Sequence, residues 1–285
     1  MGSFYGHVIP GSLFLLVGLW HLIACIFAFV SNPREFKGRI WHRVPGFHGR
    51  LRYLELYIII LGCFLDMCIE FFYATRLKFV ENGGLNSKHL NDFEHTAMLL
   101  MFFIYGVCAY VSEATRFLPL PQGSLHIIAG MAFMAEYLLF YFHSTSHAGL
   151  EGRYHVLLVI LIGLCIVLAV LGAVFPKSFT VDLASSLFVM MQGAWFYQTA
   201  YALYGPLMPN GCHEGKTGIV CESLEFELRG LTFANLQLSI LVFVVSILVT
   251  LIYGVAAHVS GHPDLSYIAS GFEEENLYKA EPSLS

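Results

Sequence analysis

The chain has 285 residues and a net charge of −5, with 57% hydrophobic and only 12% charged side chains, and its mean hydropathy is +0.67. A soluble domain carries about 25% charged residues, so the composition excludes a soluble globular protein, and the mild acidic balance excludes a nucleic-acid footprint. One helical bundle uses the whole length, which points to a single domain.

A helix needs about 20 apolar residues to cross the hydrocarbon of a bilayer. Seven stretches meet that need, near residues 8–30, 53–74, 94–115, 124–143, 155–176, 182–204 and 231–258. The first has no Lys or Arg before it, so it does not read as a cleaved secretory signal. His7 stands at its outer mouth and His21 deeper. The loop that follows carries Arg34, Lys37, Arg39, Arg43, Arg50 and Arg52, which places it in the cytosol and the N-terminus on the exoplasmic or lumenal side. Loops on the cytosolic side, with the tail, hold nine Lys and Arg against six on the other.

At 100° per residue, Glu55, Asp66 and Glu70 share one stripe of the second span. The third span holds His95 near its outer edge and Glu113 near its inner one. FLPLPQG then breaks the helix, since Pro119 and Pro121 cannot continue it. The fourth span carries Glu136 and, seven residues on, His143. His147, Glu151 and His155 follow at four-residue steps in HSTSHAGLEGRYH. PKSFT links the fifth and sixth spans, and the sixth holds Gln192, Trp195 and Gln198. Cys212 and Cys221 lie nine apart in a polar loop on the exoplasmic side, where disulfides persist, so they are expected to pair. The seventh span contains Asn235 and Gln237. Residues 263–285 read as an acidic, disordered cytosolic tail after a transmembrane domain of residues 1–262. No N-x-S/T acceptor with an allowed middle residue occurs.

A charged group at the centre of a membrane helix costs roughly 2.5–3.5 kcal/mol on insertion scales. The polar groups fall mostly in the outer half of the bundle, which suggests one shared pocket. Glu55, Glu113, His126 and Asp182 near the inner interface read as solvated or headgroup-level side chains. Imidazoles with carboxylates are the donors of zinc sites, and His95, His143, His147 and His155 are the candidate ligands of a divalent metal, zinc foremost. Glu136, Asp66 and Glu70 are the candidate catalytic or ligand-orienting carboxylates. Gln192, Gln198, Asn235 and Trp195 would hold ligands or substrate. Such a metal could activate water for hydrolysis of a lipid-like substrate. Two other readings stay open: a proton- or cation-coupled transporter, and a non-catalytic lipid-binding or scaffolding protein. Expected partners are membrane lipid, that substrate, and a second copy of the chain.

Several motifs resemble the transmembrane protein 45 family of animals and plants. FYGHVIPGSLFLLVGLW resembles its G-H-x-x-P-G opening, RYLELY its R-L-E start of span two, and EHTAM its H-x-T-M segment, which carries over His95. AEYLLFYFH matches its glutamate followed seven residues later by histidine, Glu136 and His143 here, and His155 also fits. MQGAWFYQ matches Q-G-S-W-F-F-Q. Two features depart from the family: HSTSH stands where animal members carry H-x-H, and their His-Glu-Asn before span seven and Trp-His within it are missing. The resemblance implies seven spans and an endomembrane or plasma-membrane location, and brings no settled activity. The layout is also similar, at the level of fold, to the alkaline ceramidase and progestin-receptor superfamily of metal hydrolases. The expectation is thus an all-α, seven-span bundle with its N-terminus exoplasmic or lumenal and its C-terminus cytosolic.

Overall fold

Helix α1, Phe4–Ser31, starts where the Ser3 hydroxyl accepts the Gly6 backbone N–H at 3.0 Å, which satisfies one free donor of the first turn. The computed structural model describes residues 3–44, 46–215 and 218–261, and the expected acidic tail lies outside them. Six more long helices follow: α2 Leu54–Cys68, α3 Leu90–Ala114, α4 Ser124–Ser146, α5 Gly149–Val174, α6 Phe179–Tyr204 and α7 Leu224–Val259. Helix α2 continues through a π-helical turn, Ile69–Ala74, that contains Glu70. Two short antiparallel hairpins, not expected from the sequence, complete the inventory. Strands β1 Val80–Glu81 and β2 Gly84–Leu85 join α2 to α3; β3 Cys212–Gly215 and β4 Gly218–Cys221 join α6 to α7. Cys212 and Cys221 face each other across the second hairpin and are joined by a disulfide.

Among the described residues, six helices are long and apolar enough to cross a membrane: α1, α2 with its flanking turns, α3, α4, α5 and α7. Helix α6 has the length, at 26 residues, but carries Asp182, Ser185, Ser186, Gln192, Gln198 and Thr199. Its position explains the polarity. Helices α1 to α6 pack in sequence order, and α6 closes the ring by lying along α1, with α7 against α1, α5 and α6. Backbones meet where α1 and α6 cross. A Cβ on Gly18 would stand 2.4 Å from the Met190 nitrogen, and one on Gly193 2.3 Å from that of Leu15. Small residues permit such close approach where lipid supplies no hydrophobic drive. Leu22, Ile26, Leu158, Ile162 and Trp195 are fully buried inside the ring.

The loop between α1 and α2 folds into the bundle end opposite Ser3. Phe36, Trp41 and His42 are buried in it. The Tyr105 hydroxyl donates to the Ile40 carbonyl at 2.8 Å, and the Gly38 N–H donates to that of Pro176 at 2.9 Å. Glu55 accepts from His21 Nε2 and from the His42 backbone N–H, both at 2.7 Å. This corrects the solvated reading of two carboxylates. Glu55 is 2% exposed and Asp182 9%, because the inserted loop covers them, whereas Glu113 stays exposed and His126 half-buried. Buried polar groups therefore gather at both bundle ends.

Candidate functional site

Helix α4 ends at Ser146, and α5 begins at Gly149, whose φ of +70° turns the chain within two residues. The tight turn lays His143 beside Glu151 and His155, which are four apart and share one face of α5. One ligand atom from each of His143, Glu151 and His155 lies within 4.8 Å of the others. His7 joins them from α1, with its Nε2 3.4 Å from Nε2 of His155. His7, Glu151 and His155 are each 5% exposed or less, and His143 is half-buried.

The other ring nitrogens are already engaged. Nδ1–H of His7 donates to the Ser3 carbonyl at 2.9 Å, and Nδ1–H of His155 to that of Glu151 at 2.8 Å. A carbonyl oxygen only accepts, so in the neutral rings both Nε2 atoms present lone pairs to each other. Two lone pairs at that distance need a proton or a cation between them. Backbone carbonyls that fix the distal nitrogen are the usual outer support of metal-ligating histidines.

Glu151 is held from two further sides. The Tyr204 hydroxyl donates to its Oε1 at 3.2 Å, and the Ile219 N–H of β4 to its Oε2 at 3.4 Å. A Cβ on Gly218 would stand 2.6 Å from that Oε2, so the disulfide-closed hairpin reaches the carboxylate only because residue 218 has no side chain. The ring of Phe140 stacks on His155, with centroids 5.9 Å apart.

The residues singled out by sequence divide into those that meet here and those that do not. His143 and His155 meet. His147 caps α4 at the rim, with Nδ1 donating to the His143 carbonyl at 3.0 Å and Nε2 3.8 Å from Glu151 Oε1. His95 instead faces Glu70, 3.6 Å away, between α3 and the π-helical turn. Asp66 is buried one turn before Glu70 on α2. Glu136 lies two turns of α4 below His143, fully buried. Its Oε1 accepts from Gln192 Nε2 at 2.7 Å, and its Oε2 has no partner among the described residues. Cys165 donates to Gln192 Oε1 at 3.5 Å. Trp195 is fully buried and donates from Nε1 to the Tyr154 carbonyl at 3.0 Å, a packing role. Gln198 is half-buried on α6. Asn235 is exposed on α7 and does not reach the cluster, because α7 turns Gly230 and Ala234 inward instead. Gln237 accepts from the Tyr154 hydroxyl.

Sequence reasoning left out His7 and Glu151. Both had a signal. His7 had been placed at the outer mouth with His143 and His155, and Glu151 stood midway in the four-residue series from His147 to His155.

Residues 122–254, from α4 into α7, match a family described as a family of unknown function, DUF716. Transmembrane epididymal protein 1A of Mus musculus is 21% identical over 217 residues, covering 73% of this chain and 69% of the relative. With its apolar helices, the chain is a multi-pass membrane protein. These matches bear out the likeness read from the motifs, and the chain fits the transmembrane protein 45 type of membrane protein, carried by DUF716 over its last four helices.

Proposed function

We propose that this membrane protein binds a divalent metal, zinc foremost, through His7, His143, Glu151 and His155. The observation that carries the reading is the 3.4 Å between Nε2 of His7 and Nε2 of His155, with both Nδ1 atoms committed to carbonyls. Tetrahedral zinc with Zn–N bonds of about 2.0–2.1 Å sets its ligand nitrogens about 3.3 Å apart. Two imidazoles poised at that separation fit one ion. A bound zinc would lower the pKa of a coordinated water and so supply a nucleophile for hydrolysis. Glu151, held by Tyr204 and Ile219, is then the carboxylate placed to ligate or to take a proton. Glu136, two turns deeper, keeps to the bundle interior, and Asp66 and Glu70 belong with His95. A lipid-like ester or amide is the substrate class that suits a site at the end of a membrane bundle, reached past the half-buried His143.

In this reading α6 is the seventh crossing, and the end carrying the histidines and the disulfide is exoplasmic or lumenal. The basic loop between α1 and α2 and the oxidised Cys212–Cys221 pair support that direction independently. An endomembrane or surface location follows.

The second reading is proton or cation transport. Glu136, with one oxygen that has no partner among the described residues, favours it. The apolar interior between Pro10 and His21 disfavours it, since a proton path needs polar steps.

Elemental analysis of the detergent-purified chain decides between them. One equivalent of metal is expected, retained in His21→Ala and lost in His7→Ala and in His155→Ala, with melting temperatures checking that each variant folds. Absence of metal from the unaltered protein, or retention in both site variants, overturns the reading. Proton flux in liposomes that is lost in Glu136→Gln would then establish transport.

A further inference from the structure

Below the histidine cluster the ring of helices encloses a second feature. A narrow void of about 90 Å3, counted as the space open to the centre of a water-sized sphere, runs inside the ring. It extends along α1 from Pro10 to His21, about 16 Å at 1.5 Å per residue. Its walls are apolar, with Leu13, Met98, Phe133 and Val189 among them, drawn from α1, α3, α4 and α6. Polar groups stand only toward one end: His21, Tyr105 and Ser185. Ile40 of the inserted loop closes that end. At the other, Phe196 and Phe140 stand between the void and the rings of His7 and His155.

We infer that this void binds one uncharged single-chain lipid, its hydrocarbon along α1 and its hydroxyl-bearing end at His21, Tyr105 and Ser185. A volume of about 90 Å3 spread over about 16 Å leaves the width of one chain and no room for a fused ring system. The charge of the ligand follows from the floor. His21 donates to Glu55 at 2.7 Å, and the His42 backbone N–H donates to its other oxygen at 2.7 Å, so the carboxylate at the floor already has its partners. An incoming anion would face Glu55 whether His21 is protonated or not, and a cation would add unpaired charge in a low-dielectric interior. A neutral hydroxyl suits the groups present. It can donate to the Tyr105 oxygen, whose own hydrogen is committed to the Ile40 carbonyl, and accept from Ser185. Leu13, Val17 and Ile59 line the void yet are only half-buried, so the seam between α1 and α2 is where it lies nearest to the bilayer. The source of the ligand is therefore the membrane. Metal removal leaves this binding unchanged, because the aromatic rings separate the two sites.

Membranes containing the full chain are to be irradiated with three photoactivatable probes: a monoacylglycerol, a fatty acid and a sterol, the first two carrying the reactive group in the chain. The monoacylglycerol is expected to label peptides containing Met98 or Phe133 and to be displaced by unlabelled monoacylglycerol, with or without chelator. Val189→Trp, which fills the void, should lower that labelling about tenfold, and Ser185→Val about threefold, the worth of one hydrogen bond. Should Val189→Trp fail to fold, Ala129→Leu repeats the test from α4. Equal labelling of the same peptides by fatty acid or sterol, or labelling that neither filling variant reduces, overturns the inference.

Discussion

Glu136 shows how a single side chain divides structural from chemical importance. It is fully buried, receives one hydrogen bond from Gln192, and keeps its other oxygen bare among the described residues. Gln at this position retains the acceptor that Gln192 uses; Leu leaves the Gln192 amide unpaired. Glu136→Leu is therefore expected to lose roughly 1–3 kcal/mol, the usual penalty for an orphaned buried polar group, and Glu136→Gln less than about 1 kcal/mol. Thermal unfolding in detergent measures both, and equal losses would mean that the carboxylate itself carries the stability. The residue scale was only partly legible from sequence. His143 and His155 announced themselves by four-residue spacing beside a span. His95 had the right depth but the wrong face, and its neighbour Glu70 takes it up through a π-helical turn that a regular 100° step does not anticipate. His7 had the right depth too, but nothing in its own span marked it as a ligand, because its mate lies on the fifth helix.

At the scale of elements, apolar runs of about 20 residues reveal helices reliably, and all seven expected helices are present. Their starts were less legible. Helix α5 begins at Gly149 rather than near 155 and α7 at Leu224 rather than near 231, because their first turns carry charged residues that lengthen the helix beyond the apolar stretch. The inserted loop between α1 and α2 was read only as a basic segment on the cytosolic side. Its Phe36 and Trp41 are the apolar anchors that draw it inward, while its arginines stay toward the surface. Burial pushes the His42 imidazole well below its usual pKa, and the neighbouring His21 and Arg39 charges add to this. The sign follows directly. The unfolded ring binds a proton below about pH 6.5 and the folded one resists it. Stability from the neutral ring is thus complete above that pH and declines as pH falls toward the depressed folded value. Melting temperatures recorded from pH 8 to pH 5 should drop, and His42→Gln should flatten the acid limb. An unchanged slope in the variant would assign the effect elsewhere.

For the whole molecule, seven stretches read as crossings, and among the described residues six of the helices are long and apolar enough for it; α6 is the exception, since a helix packed against α1, α5 and α7 need not be greasy. The chain contains no glycosylation acceptor, so acceptors can be placed at will. Gly84→Thr completes one at Asn82, where the added side chain meets open space. Glu214→Asn with Lys216→Thr places another beyond α6, and Gly46→Asn with His48→Thr a third in the loop after α1. The first two are expected to gain an endoglycosidase-sensitive mobility shift and the third none. Modification at Asn82 without modification at 214 would show that α6 does not cross, and modification at 46 alone would invert the topology.

His7 and His155 stand 148 positions apart in the chain yet meet at 3.4 Å. During synthesis the first imidazole reaches the bilayer surface long before its mate exists, and it waits there through the insertion of three further helices. Closure of the pair comes only when α5 docks, so an ion bound between them, as proposed, would act as a late clasp, locking the opening of the polypeptide to its middle once the ring of helices is nearly complete.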